Sequence, residues 1–162
     1  MKDKVAYITG GTKGIGFGIA QVLLKNGIKV AVSGRKQEDA EEAARILSED
    51  ESKVFGIASD VKNYDDEKNA VSEIIKKFGR LDYVIANAGL GVFKPVDELS
   101  LEDWSDMIDT NLTGVFHTLK AALPELKKSE YFQFLYKSYK VRNAHSANES
   151  HRNPNRIPSR LI

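Results

Sequence analysis

The chain contains no cysteine, which removes disulfides, zinc–thiolate centres and cysteine nucleophiles from consideration. It has only four prolines, and collagen-like or low-complexity architectures are excluded with them. No apolar run approaches the ~20 residues of a membrane-spanning helix. The start, Met1-Lys2-Asp3-Lys4-Val5, enters a strand directly with no signal-peptide layout, so a cytoplasmic protein is expected. Net charge of one sign is also lacking: 24 basic and 23 acidic residues leave +1. No overall basic field therefore favours nucleic acid. No metal site is expected.

What is present is ordinary globular material. The 162 residues, 41% hydrophobic and 29% charged, are enough for one domain with a buried core. Charge and glycine are unevenly spread. Residues 1–130 hold 18 basic and 22 acidic side chains, whereas residues 131–162 hold six basic and one acidic, Glu149. All 12 glycines precede residue 115. The change of vocabulary marks a boundary: 1–130 reads as a domain, 131–142 as a candidate fifth strand closing it, and 143–162 as a disordered or loosely attached tail.

Within the first 130 residues strand and helix signals alternate. Val5–Thr9, Val30–Val32, Val54–Ala58 and Tyr83–Ala86 are short apolar runs that suit buried strands. Gly14–Lys25 follows the first as a helix with Ile15, Ile19, Val22 and Leu23 on its inner face. Glu38–Leu47 and Asp65–Phe78 are the next helices, the latter turning Ala70, Val71, Ile74, Ile75 and Phe78 inward. Ser100-Leu101-Glu102-Asp103 has the pattern of a capping box and opens one long helix to about Leu123, which Pro124 should bend or end. Such alternation predicts an α/β Rossmann-type doubly wound parallel sheet, order 3-2-1-4-5, with helices on both faces and an incomplete C-terminal half.

Chemistry is expected in the loops after the strands. Thr9-Gly10-Gly11-Thr12-Lys13-Gly14-Ile15-Gly16 joins a strand to a helix. Glycines there expose backbone N–H groups to a phosphate, and the helix that follows directs its positive end at the anion. A strict G-x-G-x-x-G pattern fails, since Ile19 stands at the third position; a glycine-rich turn without a ligand is the alternative. After strand 2 the stretch Ser33-Gly34-Arg35-Lys36 carries no acid to accept from a ribose 2′-OH. Arg35 offers a fork of donors for a 2′-phosphate and Lys13 a second cation, unless both are simply solvated loop charges.

T-G-x-x-x-G-I-G resembles the cofactor loop of the short-chain dehydrogenase/reductase family. Further matches stand in family order: Asp60-Val61 after strand 3, Asn87-Ala88-Gly89 after strand 4, and Asn111 within Asp109-Thr110-Asn111-Leu112-Thr113-Gly114. The resemblance covers residues 4 to about 128. It implies a hydride-transferring oxidoreductase acting on carbonyl or alcohol substrates, 3-oxoacyl reductase-like, and the charges of Arg35 and Lys13 favour NADP(H) over NAD(H). It assigns Gly10, Thr12, Lys13, Gly14, Ile15, Gly16 and Arg35 to the phosphates and ribose. Asp60 and Val61 would flank adenine, Asn87, Ala88 and Gly89 the nicotinamide-side ribose, and Asn111 would serve the proton relay. Taken alone, Asp60 could be a cap and Asn87-Ala88-Gly89 a turn.

The family's catalytic serine and Tyr-x-x-x-Lys pair are expected further on. Counted from Asn111 the pair would fall near 148 and 152, where Asn148 and Arg152 stand. Tyr136 and Lys140 have the spacing but arrive too early, with Ser138 between them. From about Ser129-Glu130 the sequence reads as unrelated to the family, as a truncation or frameshift would leave it. Loss of catalysis is therefore expected, with self-association or docking on full-length relatives through an exposed sheet edge. The alternatives are a non-catalytic nucleotide-binding module and a domain for another adenine ligand such as S-adenosylmethionine.

Overall fold

The computed structural model describes residues 3–129 and 133–136. Five parallel strands, β1 (Val5–Ile8), β2 (Lys29–Gly34), β3 (Val54–Ala58), β4 (Tyr83–Ala86) and β5 (Gln133–Tyr136), form one sheet in the order β3-β2-β1-β4-β5. Helices α1 (Gly14–Lys25), α2 (Gln37–Leu47), α3 (Tyr64–Phe78), α4 (Leu101–Ile108) and α5 (Gly114–Leu126) connect them. The expected doubly wound sheet and its strand order are what the chain adopts, and β5 falls inside the candidate segment. The expected tail 143–162, the positions 148 and 152, and Lys140 lie outside the described residues.

Strand periodicity divides the core. Ala6 and Ile8 of β1, with Val30 and Val32 of β2, pack against Ala20 of α1 and Ala43 of α2. Their neighbours Val5, Tyr7 and Ala31 face the other way, onto Ala70, Val71 and Ile74 of α3 and Ala121, Ala122 and Leu126 of α5. Both faces being covered, β1 is wholly buried, as a central parallel strand requires.

Three helical expectations are corrected. Ile15 and Val22 are 72% and 59% exposed, because α1 lies on the sheet through the small residues Gly16 and Ala20, with Ile19 and Leu23 alongside. The helix opened by the Ser100–Asp103 capping box is not continuous. It stops at Ile108, passes through one π turn (Asp109–Thr113), and resumes as α5. Pro124 does not end α5 at once. It lies in the last turn, where its missing N–H removes a single bond, and burial of Ala121, Ala122 and Leu126 holds the helix to Leu126.

At the opposite edge from the strand-end loops, Asp82 clamps the sheet. Fully buried, it accepts from the Val5 amide (3.0 Å), Lys4 Nζ (3.1 Å), the Arg80 guanidinium (2.6 and 2.8 Å) and Ser129 Oγ (2.6 Å). Burial alone would raise its pKa, but these donors outweigh it and hold the carboxyl well below the usual carboxylate range. The cluster ties β1, β4 and the approach to β5 together.

Candidate cofactor site

Because the strands are parallel, the loops that follow them emerge on one edge, and the order reverses between β1 and β4, the place where doubly wound sheets open a crevice. Hydrogen bonds lock these loops to one another. Gly11 N donates to Ser33 O (3.0 Å), and Ser59 N donates to Gly34 O (2.9 Å), joining the β1, β2 and β3 ends. Thr9 Oγ1 accepts from the amides of Asn87 and Ala88, each at 3.1 Å. Asn87 Nδ2 donates to the carbonyls of Thr9 and Gly10, each at 3.1 Å. Asn87-Ala88 is thus bonded to the glycine loop; Gly89 lies exposed beside it.

The glycines have separable duties. Gly10, at φ 63°, sits where a Cβ would meet Ala88 Cα at 2.9 Å. A Cβ at Gly16 would lie 2.5 Å from Asn87 Nδ2, so α1 can approach β4 this closely only with glycine. Gly14, at φ 60°, has nothing within 4 Å of its Cβ position. It needs glycine for its backbone and faces open space. Lys13 is the cap residue of α1 without a side-chain cap bond, and no acid stands in the first turn. The positive helix end is consequently not neutralised by a side chain of α1 itself.

Exposed Lys13, Arg35 and Lys36 bracket this end, and none makes an ion pair among the described residues. Thr12 reaches across to β2, where a Cβ on Gly34 would meet its Cγ2 at 2.7 Å. Ile15 is the exposed apolar residue of α1's first turn.

After β3, Asp60 is half-buried and does form a turn: its Oδ1 accepts from Lys62 N (3.0 Å), and its own amide donates to Asp66 Oδ2 (3.2 Å). Val61 is buried against Gly114, where a Cβ would meet Val61 Cγ2 at 2.6 Å. His117 Nδ1 lies 3.0 Å from Val61 O, fixing the same turn from α5. Asn111, in the π turn, accepts at Oδ1 from Leu90 N (3.0 Å) and donates from Nδ2 to Leu90 O (2.7 Å). Its amide keeps a second N–H and lone pair.

Sequence reasoning missed three contributors. Thr9 reads as the end of an apolar strand, though a lone hydroxyl there signals a polar duty. Neither His117 nor Glu67 is singled out by the sequence, and Glu67 is fully buried. Tyr7 Oη donates to its Oε1 (3.0 Å), as does Ser59 Oγ (2.5 Å), and Tyr7 Oη lies 3.1 Å from Ser33 Oγ. Among the described residues no cluster of His, Asp and Glu could hold a metal, and no helix is long and apolar enough to cross a membrane.

Residues 4–131 match the family model for short chain dehydrogenases. A peroxisomal 2,4-dienoyl-CoA reductase of Saccharomyces cerevisiae is 40% identical over 133 residues, covering 80% of this chain and 46% of the yeast protein. An alcohol dehydrogenase from the archaeon Thermococcus sibiricus, solved with 5-hydroxy-NADP, is 39% identical with a TM-score of 0.76, covering 82% of this chain and 57% of its own. A 3-ketoacyl-(acyl-carrier-protein) reductase from Brucella melitensis, solved with NADH, is 28% identical with a TM-score of 0.77, covering 83% and 56%. The chain spans about half the length of the curated relatives it matches. With the strand order reversing between β1 and β4 and the family model matched from Lys4 onward, the chain belongs to the short-chain dehydrogenase family.

Proposed function

We propose that this chain is the NADP(H)-binding portion of an oxidoreductase that moves a hydride between the cofactor and a carbonyl or alcohol carbon, 3-oxoacyl reductase-like. Gly10, Thr12, Lys13, Gly14, Ile15 and Gly16 hold the pyrophosphate, and Arg35 holds the 2′-phosphate. Asp60 and Val61 border adenine, and Asn87, Ala88 and Gly89 border the nicotinamide-side ribose. Asn111 fixes the Leu90 backbone and offers its remaining N–H or lone pair to a water in the proton relay. When bound, the nicotinamide supplies the hydride chemistry; the chain supplies grip and orientation.

The observation that carries this reading is the open cradle at Gly14, with Lys13 before it and Arg35 after β2 making no ion pair among the described residues, and no acid at the end of β2. A free ribose diol would call for an acid at that place, and a phosphate calls for donors. Calorimetric titration with NADPH, NADH and S-adenosylmethionine tests it. Tighter binding of NADPH than of NADH is expected, and no binding of S-adenosylmethionine. Binding of neither pyridine nucleotide at millimolar concentration by folded protein would overturn it.

A second reading, a nucleotide-binding module without turnover, is favoured by one feature. Asn148 and Arg152 stand where the family's Tyr-x-x-x-Lys is expected. Neither group can replace a phenol whose proton is made available by a neighbouring ammonium. Purified chain is expected to bind cofactor and to reduce carbonyls at no measurable rate. Robust NADPH-linked turnover would exclude this second reading.

A further inference from the structure

Glu67 is the unexpected group of this fold. A carboxyl at 0% exposure is expensive to bury, and an apolar side chain would fill the same place between α3 and the sheet at no such cost. What an apolar side chain could not do is hold hydroxyls. Glu67 Oε1 accepts from Ser59 Oγ and from Tyr7 Oη, and the Tyr7 hydroxyl is in turn within hydrogen-bond distance of Ser33 Oγ. With its single proton given to Glu67, Tyr7 accepts from Ser33.

Both serines sit at the root of a recognition loop. Ser33 precedes Gly34-Arg35, and Ser59 precedes Asp60-Val61; their exposures are 1% and 5%. The first turn of α3 therefore grips two consecutive residues with two consecutive side chains: Glu67 holds the Ser59 hydroxyl while Asp66 accepts from the Asp60 amide. The Ser59 amide, donating to Gly34 O at 2.9 Å, ties the two loops to each other.

We propose that Glu67 is a positioning residue for the adenine end of the cofactor site, fixing through the Tyr7, Ser33 and Ser59 hydroxyls the two strand ends that present Arg35 and Asp60-Val61. The inference rests on the reading of those loops as a dinucleotide site. Burial pushes the Glu67 pKa up against the hydroxyl bonds that lower it, and only its Oε1 is engaged by those hydroxyls.

The test compares affinity for the two halves of the cofactor, 2′,5′-ADP and reduced nicotinamide mononucleotide, in wild type, Glu67→Gln and Glu67→Val. The glutamine retains an oxygen that accepts from both hydroxyls; the valine does not. Glu67→Val is expected to bind 2′,5′-ADP about tenfold more weakly with the mononucleotide unchanged, the size of a few misplaced hydrogen bonds. Glu67→Gln should stay within about twofold of wild type for both. Unchanged 2′,5′-ADP affinity in Glu67→Val, or equal loss of both halves, overturns the proposal. Should Glu67→Val fail to fold, Ser59→Ala keeps the carboxyl and removes one of its hydroxyls. A selective loss for 2′,5′-ADP is again expected, and its absence is again fatal. Wild-type protein that binds neither half overturns the cofactor reading itself, an outcome distinct from selective failure of the variants.

Discussion

Adding one methyl group at Gly16 should damage the protein in a way that the same addition at Gly14 does not. The Cβ of Gly16→Ala would lie 2.5 Å from Asn87 Nδ2 and 2.7 Å from Gly10 O, closer than carbon tolerates. Asn87 must then leave the carbonyls of Thr9 and Gly10, to each of which it donates at 3.1 Å. Two part-buried hydrogen bonds contribute about 1–3 kcal/mol, and forced displacement of packed groups adds roughly 1–3 kcal/mol. Alanine's helix preference over glycine returns up to ~1 kcal/mol. The balance is a loss of about 3 kcal/mol, or roughly 9 °C in Tm for a domain of this size. Gly14→Ala meets nothing within 4 Å and carries only the left-handed backbone at φ 60°, about 1 kcal/mol and roughly 3 °C. Urea unfolding with thermal melts separates the two. Equal losses, or a Gly16→Ala protein as stable as wild type, would refute the interlock between the glycine loop and Asn87.

Other perturbations follow from the same geometry. Arg35→Ala should weaken NADPH binding by roughly 10–100-fold and leave NADH binding nearly unchanged, since a charged donor to a phosphate contributes about 1.5–3 kcal/mol; parallel calorimetric titrations read the difference. Asp82→Ala removes the carboxylate shared by Lys4, Arg80, Ser129 and the Val5 amide and should lower stability by about 1–3 kcal/mol, measured by urea midpoint. Because the folded-state pKa of Asp82 lies below its unfolded value near ~3.9, its contribution is fully present above that pH, declines below it and is lost as the pH falls through the lower folded-state pKa. Asp82→Asn should therefore flatten the stability profile below about pH 4. Asn111→Ala removes both bonds to the Leu90 backbone; faster amide exchange at Leu90 is expected, with a Tm change of only a few degrees because the site is exposed.

Strands and glycine loop were legible because their signals are local. An apolar run ending in glycines reads as a buried strand wherever it docks, and the βα rhythm then leaves few topologies open. The inner face of α1 was misread for a related reason: periodicity weighs Ile15 and Val22 by hydrophobicity, whereas contact with the sheet selected Gly16 and Ala20 for their smallness. The π turn left no local mark at all. Asn111 meets Leu90, 21 residues earlier, and nothing in Asp109–Thr113 announces that appointment. Glu67 is the extreme case, with its Tyr7 partner 60 residues away. An acid in the first turn of a helix suits the helix dipole and normally faces water, so nothing local marks Glu67 as buried. What turns it inward is tertiary: β1 lies between β2 and β4, Tyr7 points to the α3 face, and the hydroxyls of Ser33 and Ser59 arrive from β2 and the end of β3. A buried carboxyl whose Oε1 holds hydroxyls from two separate chain segments can exist only once the sheet is assembled. Glu67, which ties the ends of β1, β2 and β3 to α3, was thus hidden from sequence reading, while the residues expected at the cofactor were in plain view.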